Sequence, residues 1–414
     1  MVQLFILPIL FPSAHWGDGL MVGGDWIQFH KEGIEIAEKV KEYGWSAWSL
    51  THPVSGQAMS GIAGLFYALT GIKKPWVLLF YNAFLHATAG LILFYLLILL
   101  EIPKKLAVII SIPFVVFPTS FTWVTQIHKD GLYILGMYST FLAFALAFSK
   151  NIKHNILGLL SGILGVSLFY LVRREYAFTI IHYFYLLFIF LTFVLIMIRL
   201  IQRKKEELKL TLRSMVILSL VVIFINFIKS TQTQEEHQAQ QIQQTQWWYW
   251  DPYISDKIEA MFYNLAVWRN EIWSKYLAGH KGAIDEDVKF RSVMDFIEYT
   301  PRALQVGFFS PFPNFWFTEG STTGGTIARY ITPFEAIYFY IAWLLLPFAV
   351  WMHRKKIWFW FILLVCLGFI WLHVVAEPNV GPIVRKRYGY VMLLSAISYS
   401  TVISWYIRKK AWEK

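Results

Sequence analysis

The chain reads as an all-α polytopic membrane protein, a bundle of about ten transmembrane helices carrying surface helices on one face. Three observations predict it. Of 414 residues, 57% are hydrophobic and only 15% charged, too little polar surface for a soluble domain of this length. Apolar runs of about 20 residues, the length needed to cross a hydrocarbon core, recur along the chain. The basic residues between these runs fall on alternate turns, as loops of a single membrane face do.

The spacing predicts spans near 76–100, 106–127, 131–149, 155–172, 177–199, 212–228, 332–352, 357–374 and 389–407. The run Val2 to Phe11 is short for a span and fits a truncated or tilted one. Lys104-Lys105, Lys150 with Lys153, Arg203-Lys204-Lys205, Arg354-Lys355-Lys356 and Arg408-Lys409-Lys410 then share one side, which the positive-inside rule makes cytoplasmic. The C-terminus is expected inside, in a bacterial inner (plasma) membrane. The N-terminus lacks the basic n-region of a signal peptide. The net charge of +11 is assigned to these anchoring loops, so no nucleic-acid partner is expected; the membrane lipid is. The single cysteine, Cys366, lies in an apolar run and supports no disulfide framework.

Three modules follow: 1–228, an N-terminal transmembrane module with a first outer loop 12–74; 229–331, an outer segment with surface helices; and 332–414, a C-terminal transmembrane module. In the first loop, Phe29, Gly33, Ile36 and Val40 form an apolar stripe at helical spacing, with Lys and Glu on the remaining faces. Gly23-Gly24-Asp25 opens this helix. Asp25 fits an N-terminal cap and a catalytic acid equally well. In 229–331, residues 232–246 are glutamine-dominated and read as a solvated linker. Trp247-Trp248-Tyr249-Trp250, Trp268 and Trp273 fit interfacial anchors better than sugar-stacking platforms, and 254–278 reads as a helix resting on headgroups. The Pro/Gly-rich stretch from Tyr299 to Gly325 reads as a loop.

Four polar clusters carry the chemical expectation: Gly23-Gly24-Asp25, His128-Lys129-Asp130, Arg173-Arg174-Glu175 and Arg385-Lys386-Arg387. All fall on the face opposite the basic loops. Ionisable groups this close to hydrocarbon are costly and mark sites or pathways. Arginine matches phosphate with parallel hydrogen bonds, so Lys129, His128, Arg173, Arg174, Arg385 and Arg387 are candidate phosphate-binding residues, with Asn379 beside the last cluster. Headgroup binding or salt bridges between loops would also explain them. No HExxH-like spacing, Walker loop or GxSxG elbow occurs, so a divalent metal has no support here.

An early acid, a surface helix and "GIAGLFYALTG" before the next span, then "PTSFTWVTQIHKDGLYIL" and "EPNVGPIVRKRYGYVMLL", resemble the GT-C superfamily of membrane glycosyltransferases. The nearest group is the family-39-like set, with protein O-mannosyltransferases and lipid A aminoarabinose transferases. The resemblance covers the first half of the chain and roughly its last 40 residues. The acid is a lone Asp25 rather than a pair, and the first span is unusually short. The resemblance implies inverting transfer of a sugar from a polyprenyl-phosphate donor to a glycan, lipid or protein acceptor, with no certain cofactor. It makes Asp25 the general base, with Asp18 as substitute and Asp130 assisting. Lys129, Arg174 and Arg387 would face the leaving phosphate. A polymerase or ligase using lipid-diphosphate-linked glycans is the enzymatic alternative. A lipid or glycan transporter predicts instead ionisable residues deep in the spans and broken helices near the midplane.

Overall fold

The computed structural model describes residues 2–53, 56–172, 177–230, 247–273 and 280–412. A two-stranded hairpin, β1 (His15–Gly17) and β2 (Leu20–Met21), precedes α1 (Asp25–Tyr43) and α2 (Ala58–Thr70). Then come α3 (Leu79–Leu99), α4 (Lys104–Val116), α5 (Pro118–Val124), α6 (Asp130–Ala147), α7 (Ile152–Val172), α8 (Ala177–Ile201) and α9 (Lys205–Ser230). The chain continues through α10 (Asp256–Val267), α11 (Val293–Phe309), α12 (Thr323–His353), α13 (Ile357–Ala376) and α14 (Val380–Trp412). Eight of these, α3, α6 to α9 and α12 to α14, are long and apolar enough to span a membrane. The protein is thus an all-α polytopic membrane protein. Val2–Leu10 is a nine-residue helical segment, too short to cross alone.

The span expected over 106–127 is broken. Proline lacks an N–H and disfavours helical backbone in the residue before it; Phe117, before Pro118, is accordingly extended at ψ 139°. The groups freed by the break are taken up by side chains of three other helices. The Phe114 carbonyl, four residues before Pro118, accepts from His86 Nε2 at 3.0 Å and from the Tyr388 hydroxyl at 2.9 Å. Across the break, Glu335 of α12 accepts from the Thr119 N–H at 2.7 Å and from the Thr119 hydroxyl.

Every residue of α6 except Gly131 is buried, which puts it at the centre of the bundle. Small residues let α7 lie directly on it: a Cβ at Gly165 would meet Thr140 Oγ1 at 2.5 Å and the Gly136 carbonyl at 2.7 Å. Close backbone approach of this kind is the usual basis of helix association in lipid. At one end the basic turns gather. Lys356 Nζ bonds Leu99 O at 3.1 Å and Glu101 Oε1 at 2.8 Å, and Arg408 bonds Glu101 O at 2.6 Å.

The other end carries the two large inserts. The predicted stripe of α1 is buried, with Phe29, Ile36 and Val40 all under 9% exposed. It packs on α2, where Gly33 and Gly64 allow contact so close that a Cβ on Gly33 would sit 2.8 Å from Ala63 Cβ. The tryptophans of 247–250 turn inward: Trp247, Trp248 and Trp250 surround Tyr263 of α10 with ring centroids 5.7–5.8 Å away. The stretch read as a loop from Tyr299 is helical to Phe309, as part of an amphipathic helix with a Ser292/Asp295 capping box. Pro301, the ninth of its 17 residues, does not end it, and the apolar face is buried on α13.

After α11 the chain turns against α12 and α14, and five consecutive carbonyls of the turn have side-chain partners. Trp343 Nε1 donates to Phe308 O at 3.0 Å, and the Tyr340 hydroxyl to Phe309 O at 2.6 Å. Trp316 Nε1 donates to Pro311 O at 2.8 Å, and Arg387 donates to Gly307 O and Ser310 O. Tyr340 lies near the middle of the 31-residue α12, so the turn meets that helix well inside its ends.

Candidate functional site

The site is built on the first turn of α6. Asp130, its first residue, is 1% exposed. Its Oδ2 lies 3.3 Å from His128 Nδ1 and 3.3 Å from Arg385 Nε, the latter reaching across from the start of α14. The Asp130 N–H donates to His128 Nδ1 at 3.1 Å, which leaves the His128 proton on Nε2. That atom is buried without a hydrogen-bond partner among the described residues. Burial is the main reason the imidazole is pushed down to about 4. Asp130 and Asp25 oppose the shift, while Arg385 and Lys129 add to it. His128 is therefore neutral near pH 7, and it is the point on which all four charges act.

Asp25 stands at the rim. Gly24 is the N-cap residue of α1 and Asp25 the first residue inside it, with no side-chain cap bond formed. Asp25 is exposed, and no hydrogen bond or ion pair engages its carboxylate among the described residues. The Gly23-Gly24 turn separates two cavities. One, of about 480 Å³, is lined by Gly24, Gln28, Lys31, Glu32, Glu35 and His52. The other, of about 530 Å³, is lined by Val22, Glu319, Gly320, Ser321, Thr322 and Thr326. Gly23 has φ +85°, a conformation costly for other residues, and a Cβ there would meet Thr322 Cγ2 at 3.5 Å.

The remaining expected residues divide. Lys129 joins the cluster: its Nζ donates to Gln57 Oε1 at 3.2 Å and lies 5.9 Å from the Phe29 ring centre. Asp18 does not lie free. It occupies the hairpin turn at φ 52° and pairs with Lys74 at 2.5 Å and with His30 at 3.8 Å. Arg387 points away from Asp130 and caps the turn after α11. Lys386 forms a buried ion pair with Glu377. Asn379 opens α14, its Oδ1 accepting from the Gly381 N–H at 3.0 Å, while its backbone pairs with Ala283. Arg173, Arg174 and the glutamine-rich run lie outside the described residues.

Two residues that hold the site escaped the sequence reading. Gln126 clamps the hairpin, accepting from Met21 N–H at 3.0 Å and donating to Gly19 O at 3.3 Å. Asn82 in turn donates to Gln126 O at 2.6 Å and Val124 O at 3.2 Å. Neutral amides beside charged neighbours carry no pattern that marks them. Glu335 had a signal, as the one acid in an otherwise apolar span. No group of three or more His, Cys, Asp or Glu is placed to hold a metal among the described residues. No family model, no curated protein and no solved structure matches the chain.

Proposed function

We propose that the protein is a membrane glycosyltransferase of GT-C type. In this reading it moves a sugar from a polyprenyl-phosphate donor to a hydroxyl acceptor at the rim bearing Asp25, on the extracytoplasmic face. One observation carries the reading: an exposed, unbonded carboxylate, Asp25, follows the turn that separates two open cavities, near a buried acid–imidazole–guanidinium cluster. An exposed carboxylate is available to take a proton from an acceptor hydroxyl. Inverting transfer needs that base on one side of the sugar and positive charge where the phosphate leaves. Lys129 and Arg385 are the cations nearest to serve. Arg387, engaged by backbone carbonyls, drops from that role. The test is transfer in proteoliposomes supplied with polyprenyl-phosphate-linked sugars and a mixed pool of hydroxyl acceptors. Asp25→Asn is expected to lower turnover by about 10²–10⁴-fold while leaving donor binding intact; retained turnover overturns the assignment.

A transporter of lipid-linked glycans is the second reading, favoured by the broken α4–α5 crossing and by Glu335 buried within a span. It predicts vesicle flux that Asp25→Asn does not alter.

A further inference from the structure

Glu335 has no place in the chemistry above, yet it is 4% exposed inside an apolar helix. A carboxylate there is expensive. Both its oxygens serve one residue, Thr119, at the start of α5. α5 is seven residues long and is cut off from α4 by Pro118, so it cannot hold its own direction as a continuous helix would. It runs straight into Gln126, which clamps the hairpin before Asp25, and into His128 and Asp130. Its far end is tied by Asn82; its near end is tied by Glu335.

We propose that Glu335 is a positioning residue, a hydrogen-bonded latch that fixes α5 and through it the segment from Gln126 to Asp130. The importance of that segment rests on the glycosyltransferase reading; the latch itself does not. The bonds, not the charge, hold it. A glutamine can offer its carbonyl to the Thr119 N–H and its amide N–H to the Thr119 hydroxyl, preserving both contacts.

The experiment reads local opening without any substrate, so it can fail independently of the proposed reaction. In a full-length chain with Cys366→Ala, a reporter Ile127→Cys is followed by labelling with a water-soluble maleimide in detergent micelles. Ile127 is fully buried, as is Ala147 at the opposite end of α6, where Ala147→Cys serves as control. Glu335→Leu is expected to speed labelling at 127 by about tenfold or more, the signature of local unfolding, with 147 unchanged. Glu335→Gln is expected to keep 127 protected. Protection of 127 in Glu335→Leu overturns the latch. So does Glu335→Gln opening 127 as far as Glu335→Leu, which would show that charge is what matters. Should Glu335→Leu open both reporters, Thr119→Val decides: faster labelling confined to 127 supports the latch, and no change at 127 overturns it.

Discussion

Arg385 Nε lies 3.3 Å from Asp130 Oδ2, a contact between the N-terminal ends of two helices more than 250 residues apart in sequence. Asp130 is buried and Arg385 is partly so, with 25% of its side chain exposed. Removing one partner of such a pair strands the other, at a cost of about 3–5 kcal/mol. Arg385→Ala is therefore expected to lower the thermal unfolding midpoint clearly. Adding Asp130→Asn should recover much of the loss, because no uncompensated charge remains. Additive losses in the double variant, measured by thermal unfolding in one detergent, would refute the pairing.

Arg387, two residues along, is expected to behave differently. Arg387→Ala leaves the carbonyls of Gly307 and Ser310 without their donor, at about 1–3 kcal/mol for each buried group left bare. The expected outcome is lower stability and easier proteolysis around residues 307–317, with the donor affinity of the surviving folded protein unchanged. Limited proteolysis alongside donor-binding measurements checks both halves.

The contrast between Arg385 and Arg387 shows what the sequence could and could not reveal. Hydropathy fixed most spans, since a run of apolar residues is a one-dimensional signal that lipid reads directly. Charge alternation predicts the four clusters on one face. It could not say which cation of Arg385-Lys386-Arg387 faces Asp130, because on a helix neighbouring side chains diverge by about 100°. Nor could it anticipate Arg387 as a cap: its acceptors are backbone carbonyls, which every residue has. The break at Pro118 was legible from the proline itself, yet the apolar run on either side masked it. The stripe of α1 was read correctly because its period is set by the same burial that packs it on α2.

Stability should depend on pH through His128. Its ordinary value is 6.5, and burial holds it down to about 4 in the folded protein. The unfolded chain thus takes up a proton over a range in which the folded one refuses it. The stabilisation is complete above pH 6.5 and is lost as pH falls from there toward 4, amounting to about 3 kcal/mol across the window. Unfolding midpoints measured from pH 7.5 to 4.5 should fall less steeply for His128→Asn than for the parent protein. Parallel slopes would show that other groups govern the acid limb.

Topology can be read with two exposed positions. Tyr253, 95% exposed, belongs to the end bearing Asp25, whereas Lys204 lies in a turn of the basic end. In a Cys366→Ala background, Tyr253→Cys and Lys204→Cys are expected to react with an impermeant maleimide from opposite sides of intact cells or spheroplasts, Tyr253→Cys from outside. Labelling of both from one side would overturn the crossing count.

The turn capped by Arg387 also imposes an order on biosynthesis. Gly307 emerges from the ribosome 80 residues before the side chain that will satisfy its carbonyl, and Tyr340 and Trp343 follow it as well. During that interval the carbonyls of Gly307 and Ser310 lack the donor that the folded chain gives them. The turn after α11 is complete only once α14 has taken its place beside it. A nascent chain stopped short of residue 387 would carry that turn without its guanidinium cap.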